Sequence, residues 1–447
     1  MNAKPNLRSL LTRERIGWIT YDWANSAFVL CVITVLGSAF FVAVFEKTAE
    51  EAGGLRNGPA LAMDFGGILL TAEAAWSLVV ATAALFVAIS SPILGAIADA
   101  HGSKKKFLQV YWLLGVAATL ALWFPVPWWA IGVLILLGNI GFEGGNVFYN
   151  AFLPQLAKPG EQDLLSSAGY SAGYLGGVLV LIASLAFFVP PRGSVTDAFV
   201  LIGVWWGVFG LVTFYLLPEY PAQVKERHPG QPVISAFREI SSTVRNFRQY
   251  PQAGLFLLAF LFYNDGIATL ISNATPYAMQ NIYLDETLTQ KIGLGQLIPA
   301  IIMIQVVAIP SSLLFGWIAT RFTEKTAIYL ALGIFLIVVT YGQVAQVLSE
   351  FYLMAFFIGL VLAGSQAISR SVFASLVPVG KQAEFFAFFA LSSKFSAFAG
   401  PMIYGFLLLL TGDTRVALLS LSIFFLLGGL VLFFVNVEQG VKQAQRR

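Results

Sequence analysis

Apolar runs of about 18 or more residues recur along the whole length of this chain. Because a helix of about 20 residues crosses a hydrocarbon core of about 30 Å, each run is long enough to span a membrane. Charged residues make up 11% of the chain, against about 25% in ordinary soluble proteins. Segments of about 10 alternating residues, typical of a transmembrane β-barrel, do not occur in the sequence. The sequence therefore predicts an all-α integral membrane protein.

Hydropathy predicts twelve transmembrane helices, which we number as spans 1 to 12. They cover residues 17–45, 71–98, 107–124, 128–153, 164–189, 196–217, 252–281, 291–319, 327–347, 350–377, 383–411 and 414–436. A polar, basic stretch divides them, so we expect a six-helix bundle at 1–217, a linker at 218–251 and a second six-helix bundle at 252–447. Apolar residues at spacings of four and three in the linker, with arginines between them, predict an amphipathic helix on the membrane surface.

Lysine and arginine residues are distributed unequally between the two sides of the membrane. Of 26, nineteen lie at the termini or in even-numbered loops, five lie in odd-numbered loops, and Arg370 and Lys394 lie within spans. Because positive residues are retained on the cytoplasmic side, we expect both termini to be cytoplasmic.

The two halves of the chain resemble each other at four places. Residues 20–28 match 262–270, 90–106 match 311–326, 146–154 match 370–378, and 164–177 match 390–402. Four matches in the same order indicate an internal duplication. Parallel six-helix repeats are typical of secondary transporters.

The stretch GAIADAHGSKKK between spans 2 and 3 resembles the loop motif of the major facilitator superfamily. The residues that carry the resemblance are Gly95, Asp99, Gly102, Lys104 and Lys105. Glycines permit a tight turn, and Asp99 can pair with nearby cations or a helix N-terminus, so we expect these residues to latch one conformation. Ser103 stands where the superfamily often has a basic residue, and the second copy of the motif has Thr320 in place of the acid.

Three further stretches are similar to a narrower group. YDWANSAF on span 1, NVFYNAFLPQLA on span 4 and SRSVFASLVP on span 10 resemble the vacuolar amino-acid effluxers known from yeast autophagy and their bacterial relatives. The resemblance implies a major-facilitator fold and efflux or exchange of amino acids or similar small solutes by alternating access. It also implies that spans 1, 4, 7 and 10 line a central cavity. Compact loops and the lack of long polar tails favour a bacterial inner membrane over a vacuolar one.

Ionisable side chains inside a span are costly, so each is a candidate functional residue. They are Asp22, Glu73, Glu143, Asp265, Arg370 and Lys394. Asp22 lies about 10 Å along the helix from Arg15, which places it shallowly on the cytoplasmic side. Two roles stay open for Asp22: a lock formed with Asn25 and neighbouring helices, or binding of substrate or a proton.

Asp265 lies near the middle of span 7, where we expect either proton coupling or a permanent ion pair with Lys394 or Arg370. The planar fork of Arg370 suits a carboxylate, either that of Glu143 or that of a substrate. Pairing of Glu143 with Arg370 is the expected arrangement. An acid and a base facing one cavity would complement a zwitterion, although internal salt bridges account for the same residues.

Neutral polar residues add candidate contacts for a solute. They are Asn146, Tyr149 and Asn150 on span 4, and Tyr263 and Asn264 on span 7. Hydrogen bonding between helices is the commoner use of such residues in membranes.

Other function classes lack their motifs. One cysteine, Cys31, and two histidines leave no basis for a disulfide or a metal site, and neither a phosphate loop nor an H-E-x-x-H zinc pair occurs. We therefore expect a secondary transporter and not an enzyme, with a small-molecule substrate, protons or another coupling ion and membrane lipids as partners. Neither a cofactor nor a nucleic-acid partner is expected. A lipid or organic-anion transporter on the same fold, or a receptor that does not transport, is the alternative.

Overall fold

The computed structural model describes residues 12–53, 55–57, 60–65, 68–158, 160–188, 193–220, 249–292, 294–411 and 413–445. The linker helix expected within residues 221–248 lies outside this part of the chain, and so do the side chains of Glu73 and Lys394.

Helices occupy all twelve predicted positions. Span 1 consists of Arg13–Phe28, a π-helical segment Val29–Val35, and Leu36–Glu51. Spans 2 to 6 are Ala72–His101, Lys104–Ala121, Trp128–Asn150, Gln162–Ala183 with a π-helical end at Ser184–Phe188, and Val195–Leu216. Spans 7 to 12 are Pro251–Asn281, Leu294–Arg321, Glu324–Tyr341, Leu348–Leu376, Gln382–Thr411, and the pair Thr414–Leu419 and Leu421–Phe434. Two short helices, Leu153–Leu156 and Val437–Gln445, follow spans 4 and 12.

Ten of the described helices are long and apolar enough to cross a membrane. The helices of spans 3 and 11 lie at the other two predicted positions. The prediction of an all-α membrane fold is therefore confirmed.

The connection between spans 1 and 2 contains the only strands among the described residues. Strands β1 (Leu55–Asn57), β2 (Ala60–Phe65) and β3 (Ile68–Thr71) form an antiparallel sheet in the order β1-β2-β3. Ala62 of β2 lies opposite Thr71 of β3. Met63 and Leu70 pack against an apolar cluster that includes Phe41 of span 1. Hydropathy does not predict these strands, because strands of three to six residues are too short to show a clear alternation in the sequence.

The packing of the first six spans recurs in the last six. Span 1 packs on spans 5 and 6, span 4 packs on spans 2 and 3, and span 3 packs on span 6. In the same way, span 7 packs on spans 11 and 12, span 10 packs on spans 8 and 9, and span 9 packs on span 12. Contacts of span 2 with span 11, and of span 5 with spans 8 and 10, join the two sets. This arrangement is a parallel duplication of one six-helix unit.

One lysine in each half reinforces the duplication. Lys105, the second residue of span 3, donates from Nζ to the carbonyl oxygen of Leu217 at the end of span 6, 2.6 Å away. Lys325, the second residue of span 9, donates to the carbonyl oxygens of Phe433 and Val435 at the end of span 12, at 3.0 and 2.9 Å. The last carbonyls of a helix lack partners within that helix and favour a cation. Each lysine therefore fixes the end of the last span of its unit.

Spans 3 and 4 approach each other closely because both carry glycine at the crossing. A Cβ atom at Gly141 would lie 2.5 Å from the amide nitrogen of Gly115 and 2.7 Å from the carbonyl oxygen of Tyr111. Real Cβ atoms essentially never come so close to backbone atoms. The two helices must separate to admit any larger side chain.

We predict that Gly141→Ala lowers the stability of the protein by about 1–3 kcal/mol, the usual cost of overpacking. Thermal unfolding in detergent, followed by tryptophan fluorescence, measures the effect. Gly333→Ala is the matched control, because a Cβ atom there has nothing within 4 Å. Equal unfolding temperatures for the two variants would contradict the close approach at Gly141.

Candidate functional site

A cavity of about 490 Å³ lies between the two six-helix units. Spans 1, 4 and 5 line one wall, and spans 7, 8 and 10 line the other. Polar side chains gather around Asp22 and Arg370, whereas apolar residues such as Ile301, Ile358 and Leu362 line much of the rest. The cavity therefore offers a polar end and an apolar body to a solute.

An ion pair between the two units forms the polar end. Arg370 Nη1 of span 10 lies 3.1 Å from Asp22 Oδ2 of span 1. The Arg370 side chain is 4% exposed and the Asp22 side chain 13% exposed, so only the acid keeps appreciable access to the cavity. A buried ion pair of this kind is stable only when further hydrogen bonds satisfy both groups.

Arg370 donates those hydrogen bonds to residues of spans 4 and 5. Its Nε donates to Ser166 Oγ at 2.8 Å, and Nη2 donates to the carbonyl oxygen of Ser166 at 2.8 Å. Nη1 also donates to Asn150 Oδ1 at 3.3 Å. With the bond to Asp22, four of the five N–H groups of the guanidinium have acceptors.

Three aromatic rings surround the same guanidinium. Its central carbon lies 4.3 Å from the ring centroid of Tyr170, 4.7 Å from that of Trp18 and 5.6 Å from that of Tyr149. The rings of Trp18 and Tyr149 are stacked at 4.6 Å, and the Tyr149 hydroxyl donates to Asp22 Oδ2 at 2.7 Å. Contact of a cation with ring faces is favourable, and more so away from water.

Two amides continue the polar end along the cavity. Asn25 Nδ2 donates to Asn146 Oδ1 at 2.8 Å, which joins spans 1 and 4, and both residues line the cavity. The structure thus brings together five predicted candidates: Asp22, Asn25, Asn146, Asn150 and Arg370. Tyr149 lies directly behind them, in contact with Asp22.

The candidates on span 7 contact other helices and do not line this cavity. The hydroxyls of Tyr263 and Ser369 lie 2.6 Å apart, and Asn264 Oδ1 accepts a hydrogen bond from Gln366 at 2.9 Å. Asp265 accepts the backbone N–H of Gly400 on both carboxylate oxygens, at 2.9 and 2.8 Å. Sequence position alone could not show that these side chains point into the second unit.

The expected pairing of Glu143 with Arg370 is wrong, because the acid that pairs with Arg370 is Asp22. Glu143 lies three residues before Asn146 on span 4 but outside the lining of the cavity. Arg370 also does not pair with Asp265, whose carboxylate binds the amide of Gly400. The expected pairing of Asp265 with Lys394 stays a prediction, because the Lys394 side chain lies outside the described residues.

The expected latch residues meet the first turn of span 11. Asp99 Oδ1 lies 3.0 Å from Lys104 Nζ, and Asp99 Oδ2 accepts the backbone N–H of Glu384 at 3.0 Å. Lys104 donates in turn to Gln382 at 2.9 Å. This is the predicted contact of an acid with both a cation and a helix N-terminus.

Glycine is required at two positions of this contact. Gly102 turns the chain with φ at +61°, in the left-handed region. A Cβ atom at Gly95 would lie 2.8 Å from the carbonyl oxygen of Ala383, so glycine lets span 2 approach span 11. Lys105 takes no described part in the contact and binds the end of span 6 instead.

Sequence interpretation missed Trp18, Ser166 and Tyr170 as parts of the polar end. Trp18 lies one helical turn before Asp22, and that spacing was the available signal. Ser166 and Tyr170 fall in one of the four duplicated stretches, on a helix that the resemblance did not assign to the cavity. Serine and aromatic residues are common inside spans, so the sequence does not show which of them are functional unless the helix that each one faces is known.

The sequence profile of the family described as "Vacuole effluxer Atg22 like" matches residues 12–163 and 158–445. An uncharacterised MFS-type transporter of Bacillus subtilis, YxiO, is 33% identical, with 98% of each chain covered. The chain belongs to the Atg22-like family. Autophagy-related protein 22 of Coccidioides immitis is 25% identical, and the alignment covers 97% of this chain and 88% of the fungal protein.

Solved structures agree on the fold of this Atg22-like protein. The human organic anion transporter MFSD10 superposes with a TM-score of 0.69 at 16% identity, covering 94% of this chain and 99% of its own. FucP in its outward conformation superposes with a TM-score of 0.65 at 12% identity, and the alignment covers 94% of this chain and 98% of FucP. The family match and the whole-length similarity to an MFS-type transporter show that the protein is an integral membrane transporter of the major facilitator superfamily, and its expected family is confirmed.

We predict that Asp265→Ala lowers the stability of the protein by about 1–3 kcal/mol, because the buried Gly400 amide loses a charged acceptor. Asp265→Asn keeps one carbonyl oxygen at the same place and should unfold at a temperature nearer to the wild type. Thermal unfolding in detergent compares the three proteins. An alanine variant as stable as the wild type would show that the contact with Gly400 contributes nothing to folding.

Proposed function

We propose that this Atg22-like protein moves a small zwitterionic solute, with an amino acid as the leading candidate, by secondary active transport through alternating access. The observation that carries the proposal is the Asp22–Arg370 ion pair at one end of a cavity shared by both six-helix units. A zwitterion has no net charge, and the charged side chains that line the cavity, Asp22 and Arg370, also sum to zero.

The ammonium group of the solute binds Asp22 in this proposal. Asp22 Oδ2 accepts hydrogen bonds from Tyr149 and Arg370, whereas Oδ1 has no acceptor role toward any described residue. The amides of Asn25 and Asn146 lie next along the cavity and offer N–H groups to a carboxylate. Arg370 has one N–H group left in this state, so it is a poor carboxylate site here.

The body of the cavity suits an apolar side chain on the same solute. Ile271, Ala300, Ile304 and Phe351 are among its lining residues. Burial of apolar surface contributes about 25 cal/mol per Å². A strongly anionic solute is disfavoured, because Asp22 already neutralises the one cation described in the lining. Lipids and organic anions therefore form the second class of cargo to be tested.

In the same proposal the transporter lies in a bacterial plasma membrane with both termini in the cytoplasm. The whole-length similarity to a protein of Bacillus subtilis and the excess of basic residues in even-numbered loops support this. The state described is closed on the side of the termini, where the Asp99 contact and the Asp22–Arg370 pair both join the two units.

Proton coupling is assigned to Asp265 in this proposal. Its carboxyl group is buried, and no arginine lies against it among the described side chains. Intramembrane acids serve as proton carriers in many transporters. The contact with Gly400, next to Pro401 inside the helix of span 11, offers a route from protonation to movement of span 11.

Counterflow of a labelled amino-acid mixture into preloaded proteoliposomes tests the cargo. We predict uptake by the wild type and a rise of roughly 10- to 100-fold in the half-saturating concentration for Asp22→Asn, which loses a charge-assisted contact of about 1.5–3 kcal/mol. Asp265→Asn should exchange normally without a gradient but lose stimulation by an inward proton gradient.

Absence of uptake of every amino acid, by protein that still unfolds cooperatively, would reject the zwitterion cargo and direct the search to organic anions and lipids. Equal stimulation of the wild type and Asp265→Asn by the gradient would reject coupling at Asp265.

The latch assignment predicts that Asp99→Ala favours the state open on the side of the termini, since the contacts with Lys104 and the Glu384 amide are lost. The rate at which a maleimide labels a cysteine placed at Ser167→Cys, in a Cys31→Ala background, reports how often this state is open. Ser167 is buried where span 5 meets span 8, and its hydroxyl has no described hydrogen-bond partner. We expect labelling to be several-fold faster with Asp99→Ala and unchanged with Asp197→Ala, an acid at the start of span 6.

A further inference from the structure

Every described partner of the Arg370 guanidinium belongs to the first six-helix unit. The acceptors are Asp22 on span 1, Asn150 on span 4 and Ser166 on span 5. The rings belong to Trp18 on span 1, Tyr149 on span 4 and Tyr170 on span 5. Arg370 comes from span 10, in the second unit. The first unit thus contains a complete cation site that the second unit fills.

The chemistry of these six residues is that of a receptor for a planar cation. A carboxylate supplies the charge, Ser166 accepts two parallel hydrogen bonds on its hydroxyl and carbonyl oxygens, and ring faces cover the remaining surface. Such a combination recognises guanidinium and ammonium groups in general. Gly169 makes room for the cation, because a Cβ atom there would lie 3.0 Å from Arg370 Nη2 and 2.5 Å from Asp22 Oδ2.

Alternating access requires the two units to separate at this end of the cavity. Arg370 then moves away with span 10, while its six partners stay together on spans 1, 4 and 5. Asp22 would be left among aromatic rings without its cation, and an unpaired buried charge is costly. A cation of the solute that takes the place of Arg370 would offset this cost.

We propose that spans 1, 4 and 5 form a cation site that Arg370 fills in the present state and that a guanidinium or ammonium group of the transported solute fills when Arg370 withdraws. This inference rests on the proposed transport function and adds the competing role of Arg370. With Arg370 in place, the solute reaches Asp22 only at Oδ1, because Arg370 already occupies the Ser166 oxygens and the ring faces. Arg370 and the cation of the solute therefore exclude each other from the full site. Binding of the solute therefore favours the state in which the units are separated at this end.

The cation site is tested without any transport assay. In purified Arg370→Ala, millimolar methylguanidinium chloride should raise the unfolding temperature saturably, and equimolar sodium chloride should not. The double variant Arg370→Ala with Asp22→Asn should lose at least tenfold in apparent affinity for methylguanidinium, and the wild type, with its site filled, should not respond. Absence of stabilisation of Arg370→Ala, or equal stabilisation of the double variant, would overturn the proposal.

Transport kinetics test the competition. Arg370→Gln keeps most of the side chain but removes the charge, so it also serves if Arg370→Ala does not fold. We expect the half-saturating amino-acid concentration in counterflow to fall at least threefold in Arg370→Gln, because the internal competitor is gone. A rise would mean that Arg370 binds the solute itself and would overturn the proposal. If the wild type carries no amino acid, the proposed function fails. The cation site is still decided separately, by whether methylguanidinium raises the unfolding temperature of Arg370→Gln saturably.

Discussion

The ion pair between Asp22 and Arg370 is the interaction on which the arrangement of the two units depends. Both groups lie in a low-dielectric interior, where removing either partner would leave an uncompensated charge at a cost of about 3–5 kcal/mol. The acid belongs to span 1 and the base to span 10. The two charges therefore neutralise each other only when the two units come together at this end of the cavity. In the closed arrangement Arg370 donates hydrogen bonds to Ser166 and Asn150 and lies among three rings, so its guanidinium is well satisfied there.

The duplicated architecture joins its two halves by contacts that differ chemically. Where span 2 meets span 11, Gly95 permits the approach, and charged groups hold it through Asp99 and Lys104. Where span 8 meets span 5, Gly316 permits the same approach, but Ser312 donates to the carbonyl oxygen of Ser167 at 2.8 Å. The substitution of Thr320 for the acid of the motif agrees with this neutral contact. The contact at Gly95 is thus ionic, whereas the contact at Gly316 has a neutral hydrogen bond.

The rotation of each helix about its axis explains which of the predicted site residues line the cavity and which do not. Asp22, Asn25, Asn146, Asn150 and Arg370 were selected for their cost in a membrane, and the structure places them around one cavity. Tyr263 and Asp265 were selected by the same rule, but span 7 turns them toward Ser369 and Gly400. The cost of burying a polar group predicts that it has a partner, and it says nothing about whether that partner is a solute or a neighbouring helix.

The sequence by itself determined the membrane class, the helical positions, the duplication and the motif at Asp99. Each of these is a local property, because hydropathy, glycine placement and charge act on segments shorter than one span. Only the tertiary structure decided which acid neutralises Arg370, since Asp22 lies 348 residues away along the chain. It also decided that Trp18, Tyr149 and Tyr170 surround that cation. The physical reason is that such contacts depend on how each helix is rotated against its neighbours, and that rotation is set by close packing between distant spans.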